Sequence, residues 1–412
     1  MKKVWVLNHY AVPPGSPDGT RHFSLAKYLP LYGWEACILA ASVEHSSGRQ
    51  RLLEGEGARL ENHAGVPFLW LRTPTYQGNR GGRMRNMLHY AMQALMPANT
   101  RLLFKPDAVI GSSVHPFAAA AGALLAKRFG VPFIFEVRDL WPQTLIDFGR
   151  IKNNGMLARM MRALELWLYR RAARIVTLLP RAVDYIVPLG ISEDKVVWIP
   201  NGADISSFPD PGPRVPDDKF TLMYFGAHGQ ANALEIVLHA MKQIQADKDM
   251  QQVCLRMIGD GPAKESLQKL ANELELKNVK FEPPIPKSSI PLVAAEADAF
   301  ILSVLNKPNL YRYGISMNKI YDYFAARRPI VMLSCAVNDP VGDAGAGLTI
   351  PSGNLDALVD AIKQMASMRQ FELDAMGASG RKYIERNGDY KALAEKLAIV
   401  LDECVAQQGR NP

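Results

Sequence analysis

The chain has 412 residues, 48% of them hydrophobic and 21% charged, which is too long for one ordinary domain core and points to two or three domains. This composition excludes a peptide, a small disulfide scaffold, wholesale disorder and a collagen-like repeat. The net charge of +8 is uneven: residues 1–200 carry 25 Lys and Arg against 14 Asp and Glu, and the rest carries 23 against 26.

The opening MKKVWVLNHY has too short an apolar run, and no small-residue cleavage site, for an export signal. Val4 to Leu7 within it predicts the first strand. Further short runs rich in Val, Ile and Phe predict strands at Ala36 to Ala40, Ala108 to Ile110, Pro132 to Val137, Arg174 to Leu178 and Val196 to Ile199. Helical spacing separates them, which is the pattern of parallel βαβ construction. One such helix, Met84 to Leu95, has Arg80, Arg83 and Arg85 at or before its start, where the helix dipole disfavours cations. From Glu61 to Asp107 no acid intervenes. An anionic membrane surface or lipid phosphate would relieve that conflict, and solvated arginines on an ordinary packed helix are the plainer account. Gly155 to Ala173 repeats the design with Met160, Met161, Leu164 and Leu168. The longest quiet apolar run, Pro116 to Ala126, falls well short of the roughly 18 residues that span a bilayer.

After Ile199 the composition changes. FPDPGPRVPDD packs four prolines and three aspartates into eleven residues and reads as a linker. A second strand series follows at Phe220 to Phe225, Val253 to Ile258, Val279 to Phe281, Ala299 to Ser303, Pro329 to Leu333 and Leu348 to Ile350. The expected organisation is a Rossmann-like domain over 1–200, a linker over 201–218, a second Rossmann-like domain over 219–388 and a final amphipathic helix within 389–412, closing one domain or the other. Cys37, Cys254, Cys335 and Cys404 lack metal-ligand spacing and read as reduced thiols of a cytoplasmic protein.

Several segments leave strand ends, where open α/β sheets bind ligands. The first strand runs into His9-Tyr10 and a loop containing Gly15 and Gly19, with a helix starting near Thr20; its amides suit a diphosphate, although a surface turn looks similar. His115 follows the strand at Ala108 to Ile110. Glu136-Val137-Arg138-Asp139-Leu140-Trp141-Pro142 clusters charges that either pair internally or bind something. In the second half, Gly226-Ala227-His228-Gly229 and Gly259-Asp260-Gly261 end strands without a complete dinucleotide fingerprint or P-loop. Gly314-Ile315-Ser316 leads into a helix with Lys319 and Asp322 three residues apart, a phosphate and ribose site or an exposed ion pair. Glu296-Ala297-Asp298 lacks further ligands and is expected to be structural rather than metal-binding.

With these segments in order, nearly the whole chain resembles the retaining family 4 glycosyltransferases of GT-B fold, in the bacterial O-antigen and capsule branch that includes N-acetylfucosaminyl transferases. The most specific pieces are Arg138-Asp139-Leu140-Trp141-Pro142, Ile199-Pro200-Asn201-Gly202-Ala203-Asp204, Gly259-Asp260-Gly261, and Tyr313-Gly314-Ile315-Ser316 through Asn318-Lys319-Ile320-Tyr321-Asp322-Tyr323. The resemblance implies an α/β chain of two Rossmann-like domains with an interdomain cleft. It implies a UDP-sugar donor held mainly by the second domain, and a polyprenyl-diphosphate-linked saccharide acceptor held by the basic first domain, with Arg80, Arg83, Arg85 and Arg138 as acceptor or membrane contacts. The enzyme would need no metal or other cofactor and would sit at the inner face of the cytoplasmic membrane. His115 matches the family's active-site histidine, with Asp139 as a second catalytic candidate.

On the donor side the resemblance assigns Gly15, Gly19, Gly229, Gly259, Ile285, Arg312, Gly314, Ile315, Ser316, Lys319 and Asp322. The family's paired glutamates fall on Gly314 and Asp322, so the first carboxylate is absent and Asp322 is expected at the ribose. The family's Arg and Lys after the first strand of this domain are also absent, since His228 to Ala233 contains neither. Arg312, Lys319 and the amides around Ile315 and Ser316 are then the candidates for the diphosphate. A non-hydrolysing nucleotide-sugar epimerase and a non-catalytic sugar-nucleotide scaffold are the alternatives. Nucleic-acid binding is not expected, because the basic stretch has no interleaved aromatics and no reading motif.

Overall fold

The computed structural model describes residues 1–15, 21–44, 48–76, 80–212 and 218–409. The chain divides into two compact units, residues 1–200 with 390–412, and residues 201–389.

The first unit is built on eight strands: β1 Lys2–Leu7, β2 Trp34–Ala41, β3 Ala58–His63, β4 Val66–Leu71, β5 Ala108–Ser112, β6 Phe133–Val137, β7 Arg174–Thr177 and β8 Val196–Trp198. Their order is β3-β4-β2-β1-β5-β6-β7-β8, parallel throughout except where β3 runs against β4. Burial on both faces explains why β1, β2, β5 and β6 are near-continuous apolar runs. The β3–β4 hairpin is absent from the sequence expectation. Its two-residue turn is Ala64-Gly65, both at positive φ (48° and 88°), the backbone that a tight hairpin requires. The C-terminal helix Tyr390–Gln408 belongs to this unit. Leu393, Leu397, Val400 and Leu401 enter the core with Phe23, Leu25, Trp34 and Ala36, and Trp34 Nε1 donates to Asp402 at 3.0 Å.

The second unit has six parallel strands: β9 Phe220–Phe225, β10 Val253–Ile258, β11 Val279–Glu282, β12 Ala299–Ser303, β13 Ile330–Ser334 and β14 Gly347–Pro351. Their order is β11-β10-β9-β12-β13-β14, the doubly wound arrangement that reverses direction beside its first strand. Residues 201–212, which composition assigns to a linker, are held within this unit. Asn201 N donates to Ser316 Oγ (2.9 Å), Ala203 pairs with Asp389, and Phe208 is buried with its carbonyl accepting from Arg381. The rest of the proline-rich segment, 213–217, lies outside the described residues. All four cysteines are unpaired thiols.

Candidate active site

In each sheet the order reverses beside the first strand, and the ends of the strands flanking that point position the candidate residues. In the first unit these are β1, leading into Asn8-His9-Tyr10, and β5, leading into Ser113-Val114-His115. His115 caps the helix Pro116–Phe129: its backbone is extended, and its Nδ1 accepts from Ala118 N at 3.2 Å. An amide can only donate, so the proton of neutral His115 is on Nε2, from which it is given to His9 Nδ1 at 2.8 Å. A neutral His9 therefore carries its own proton on Nε2. Burial, with the Arg83 charge added, lowers the His115 pKa to about 3, so the imidazole stays neutral at ordinary pH. The His9 ring stacks on Tyr10 and Tyr90 (centroids 4.4 and 4.8 Å), and Arg83 Nε donates to Tyr10 Oη at 3.1 Å. Both ring nitrogens of His115 are thus engaged within the unit, and His9 is the partner that sequence reading missed.

Glu136, at the end of β6, anchors a second network. Its carboxylate accepts from Arg21 Nε (2.9 Å), His22 Nε2 (2.6 Å) and Ser112 Oγ (2.7 Å). His22 Nδ1 accepts from Asn8 Nδ2 (2.6 Å), and Arg21 also donates to the Ile199 and Pro200 carbonyls. Burial alone would raise the Glu136 carboxyl, but His22 and Arg21 hold it well below the usual range. Among the described residues Arg138 makes no direct salt bridge to Glu136, whose oxygens are taken, or to Asp139, although its charge acts to lower both carboxyls. Arg138 is half-buried, with its backbone N–H on Ser113 Oγ (2.9 Å), and Asp139 keeps an exposed surface while desolvation of its carboxyl raises the pKa, with the Arg138 charge opposing. Arg83 and Arg85 are exposed on the helix Arg80–Leu95. Gly15 has φ 99°, and a β-carbon placed on it would meet nothing within 4 Å. Gly19 and the Arg80 side chain lie outside the described residues.

In the second unit the strand ends meet through glycine. A β-carbon on Gly259 would lie 2.0 Å from the Gly226 carbonyl oxygen, and one on Gly261 would lie 2.6 Å from that of His228. Only glycine permits these loops to cross so closely. Gly229 carries no such demand, its nearest neighbour being at 3.6 Å.

Lys319 and Asp322 share the helix Asn318–Ala325 but do not pair. Lys319 Nζ reaches the end of β9, donating to Tyr224 Oη (2.7 Å) and Asn232 Oδ1 (2.9 Å), and among the described residues it meets no carboxylate. Desolvation lowers its pKa to about 7. Asp322 forms an ion pair with Lys287 from the loop after β11, and its Oδ1 is buried without a partner among the described residues. Burial raises the Asp322 carboxyl despite Lys287.

The amides expected to serve a phosphate are partly committed. Ile315 N donates to Asn338 Oδ1 (2.8 Å), so that amide is taken, whereas Ser316 Oγ accepts from Asn201 N and lies 3.3 Å from Tyr321 Oη, which leaves its own proton able to turn to a phosphate. Gly314 is buried at φ 97°. Arg312 stacks on Tyr313 (4.7 Å) and donates to the Asn309 carbonyl, while Ile285 packs on the apolar core. Asp298 accepts from Thr221 N (2.7 Å) and Glu296 pairs with Arg256, which accounts for that acidic triplet structurally.

Residues 19–202 match the family described as "Glycosyl transferase 4-like domain", and residues 219–368 match "Glycosyl transferases group 1". The chain belongs to the glycosyltransferases. This glycosyltransferase is 22% identical over 259 residues to the "Putative colanic acid biosynthesis glycosyl transferase WcaI" of Escherichia coli K12, a match spanning 59% of the chain and 62% of that relative. It is 22% identical over 304 residues to the "Probable glycosyltransferase WbjE" of Pseudomonas aeruginosa, spanning 71% and 73%. Its fold is that of GT-B enzymes. Sucrose-phosphate synthase from Thermosynechococcus elongatus superposes with a TM-score of 0.75 at 15% identity, covering 99% of this chain and 100% of the other. Anabaena Alr3699/HepE, solved in complex with UDP and glucose, gives 0.67 at 14%, covering 98% and 100%.

Proposed function

We propose that this glycosyltransferase moves a sugar with retention from a nucleotide sugar, a UDP-sugar first among them, to a polyprenyl-diphosphate-linked saccharide during bacterial surface-polysaccharide synthesis. The observation that carries this reading is the helix Asn318–Ala325. At the reversal point of the second sheet it presents a cation whose partners among the described residues are all neutral, Lys319, and a carboxylate oxygen that has none among them, Asp322. A diphosphate suits the first and a ribose hydroxyl the second. The UDP in HepE and the colanic acid assignment of WcaI support the same direction.

Departure of a nucleoside diphosphate needs little protonation, but the negative charge growing on it must be stabilised. Lys319 supplies that stabilisation without a metal ion, and His115, neutral and fixed by Ala118 N and His9, stands at the strand end that faces the sugar in this reading. A panel of UDP-, GDP- and ADP-sugars, with and without EDTA, tests the reading by thermal shift and slow sugar release. One nucleotide is expected to raise Tm independently of metal, with affinity reduced at least about tenfold in Asp322→Ala through the lost charged hydrogen bond. Absence of any shift across the panel would remove the donor site.

The acceptor side of the proposal places the first unit at the inner face of the cytoplasmic membrane. No helix among the described residues is long and apolar enough to cross a bilayer. Met84, Leu88 and Met92 are exposed beside Arg83 and Arg85, and Met156, Leu157 and Met160 are exposed on the helix Met156–Arg171. Basic residues near an anionic surface contribute about 1 kcal/mol each. Cosedimentation with anionic vesicles is expected to fall about a hundredfold in affinity when Arg80, Arg83 and Arg85 are all changed to Ala; equal binding to neutral vesicles would count against the surface.

A further inference from the structure

His228 lies in the loop after β9 and is fully buried, at 0% exposure. Its ring packs against Tyr224 (5.7 Å, near-parallel) and edge-on to Phe281 (6.3 Å). Its backbone is tied down on both sides, with N–H donating to the Asp260 carbonyl (2.8 Å) and C=O accepting from Ala263 N (2.9 Å). Neither ring nitrogen has a hydrogen-bond partner among the described residues. Burial is the main reason its pKa falls to about 4, with the positive charges of Lys264 and Lys319 adding to it and Asp260 opposing. The ring is therefore neutral, with one donor and one acceptor both unused.

Two ammoniums, Lys264 and Lys319, and one carboxylate, Asp260, act on the ring. Lys264 Nζ donates to the Gly259 and Glu282 carbonyls at 2.7 and 2.9 Å, so it joins Lys319 as a second ammonium satisfied only by neutral oxygens. The nearby acid on the helix Asn318–Ala325, Asp322, is already paired with Lys287. Two such ammoniums around an uncommitted imidazole, at the carboxyl ends of parallel strands, select for a multiply charged anion rather than for a base or a sugar.

We infer that His228 contacts the diphosphate of the nucleotide donor, as a neutral N–H donor flanked by Lys264 and Lys319. This rests on the donor reading of the second unit. Because no protein group fixes its tautomer, the ring can carry its proton on whichever nitrogen meets the phosphate. A purely structural role gives no reason for an imidazole here. Phenylalanine would keep the contacts to Tyr224 and Phe281 and remove two unsatisfied buried nitrogens.

The test uses the full chain with His228→Phe and His228→Gln, titrated with UDP, GDP and ADP, the matching free nucleosides, and inorganic pyrophosphate. In His228→Phe the Tm of the nucleotide-free protein should be unchanged or higher. Affinity for the recognised nucleoside diphosphate and for pyrophosphate should fall at least about tenfold, as expected for a hydrogen bond to a charged group, with nucleoside affinity unchanged. His228→Gln, which keeps an N–H, should recover part of the loss. Equal loss for nucleoside and diphosphate, or a lower Tm without ligand, makes His228 a packing or buried-water residue and overturns the inference. Wild-type diphosphate affinity in His228→Phe overturns it alone and leaves the donor reading standing. No diphosphate binding by the wild-type chain overturns both.

Discussion

Lys319→Met is expected to lower the rate of sugar transfer by about two to three orders of magnitude, the scale seen when a preorganised group facing developing negative charge is removed. Methionine keeps the apolar stem, so the loss isolates the charge. The fold should tolerate the change. Tyr224 Oη still donates to the Ala227 carbonyl (2.6 Å), as does Asn232 Nδ2 (2.8 Å), and a desolvated ammonium is removed.

The same residue gives a pH signature. With a folded pKa near 7 against 10.5 unfolded, Lys319 in the nucleotide-free protein releases its proton as pH rises through 7, while the unfolded chain keeps it up to about 10.5. Stability should therefore rise, not fall, across that window from this group. An arriving diphosphate favours the charged form, so binding at pH 8 should take up a proton and weaken as pH increases. Calorimetry at pH 8 in two buffers of different ionisation enthalpy measures the uptake, and Lys319→Met should abolish it. Unchanged turnover, or unchanged proton uptake, would show that another cation meets the diphosphate.

The strands that line the site were legible because most are buried on both faces and read as short apolar runs; β9, β12 and β13 are examples. The β3–β4 hairpin was not, because β3 is an edge strand with exposed Leu60 and alternating polar residues. The Ala64-Gly65 pair was its one local signal. Strand ends could be located, but their partners could not, since those come from far along the chain. His9 meets His115 across 106 residues, and Arg21 meets Glu136 across 115. On the helix Asn318–Ala325, spacing put Lys319 and Asp322 near each other. Which way each turned was decided by Asn232 and Tyr224 on one side and Lys287 on the other. The Ile315 amide looked open for the same reason, until Asn338 took it. Local pattern places a side chain on an element; competition among distant partners decides what it is left to bind.

Glu136→Ala should be the most destabilising single change considered in the first unit. It leaves the Arg21 side chain, 1% exposed, as a buried cation with only the Ile199 and Pro200 carbonyls for company. Breaking a buried ion pair from one side costs about 3–5 kcal/mol. That corresponds to a fall of about 10 °C in the transition of a unit this size. Replacing both partners, Arg21→Met with Glu136→Leu, should recover most of the loss, since an apolar pair of similar volume avoids the desolvation cost. If the double variant is no more stable than Glu136→Ala, the interaction is not the source of the effect.

Acid titration separates the members of the network. Glu136 has a folded pKa below its unfolded value, so its contribution is complete above about 4.5 and disappears as pH falls through the folded value. His22 and His115 are also lowered, by burial first. Below about 6.5 the unfolded chain takes up their protons while the folded one does not, so their loss begins earlier. Wild-type stability should therefore decline in two stages, and Glu136→Gln should keep the first and lose the second. Because His22 also binds Asn8, whose Oδ1 accepts from Tyr10 N at 3.0 Å, this network holds the end of β1 that carries His9. A variant that loosens it without unfolding should lower turnover while leaving unchanged the nucleotide affinity that the proposed donor site assigns to the second unit.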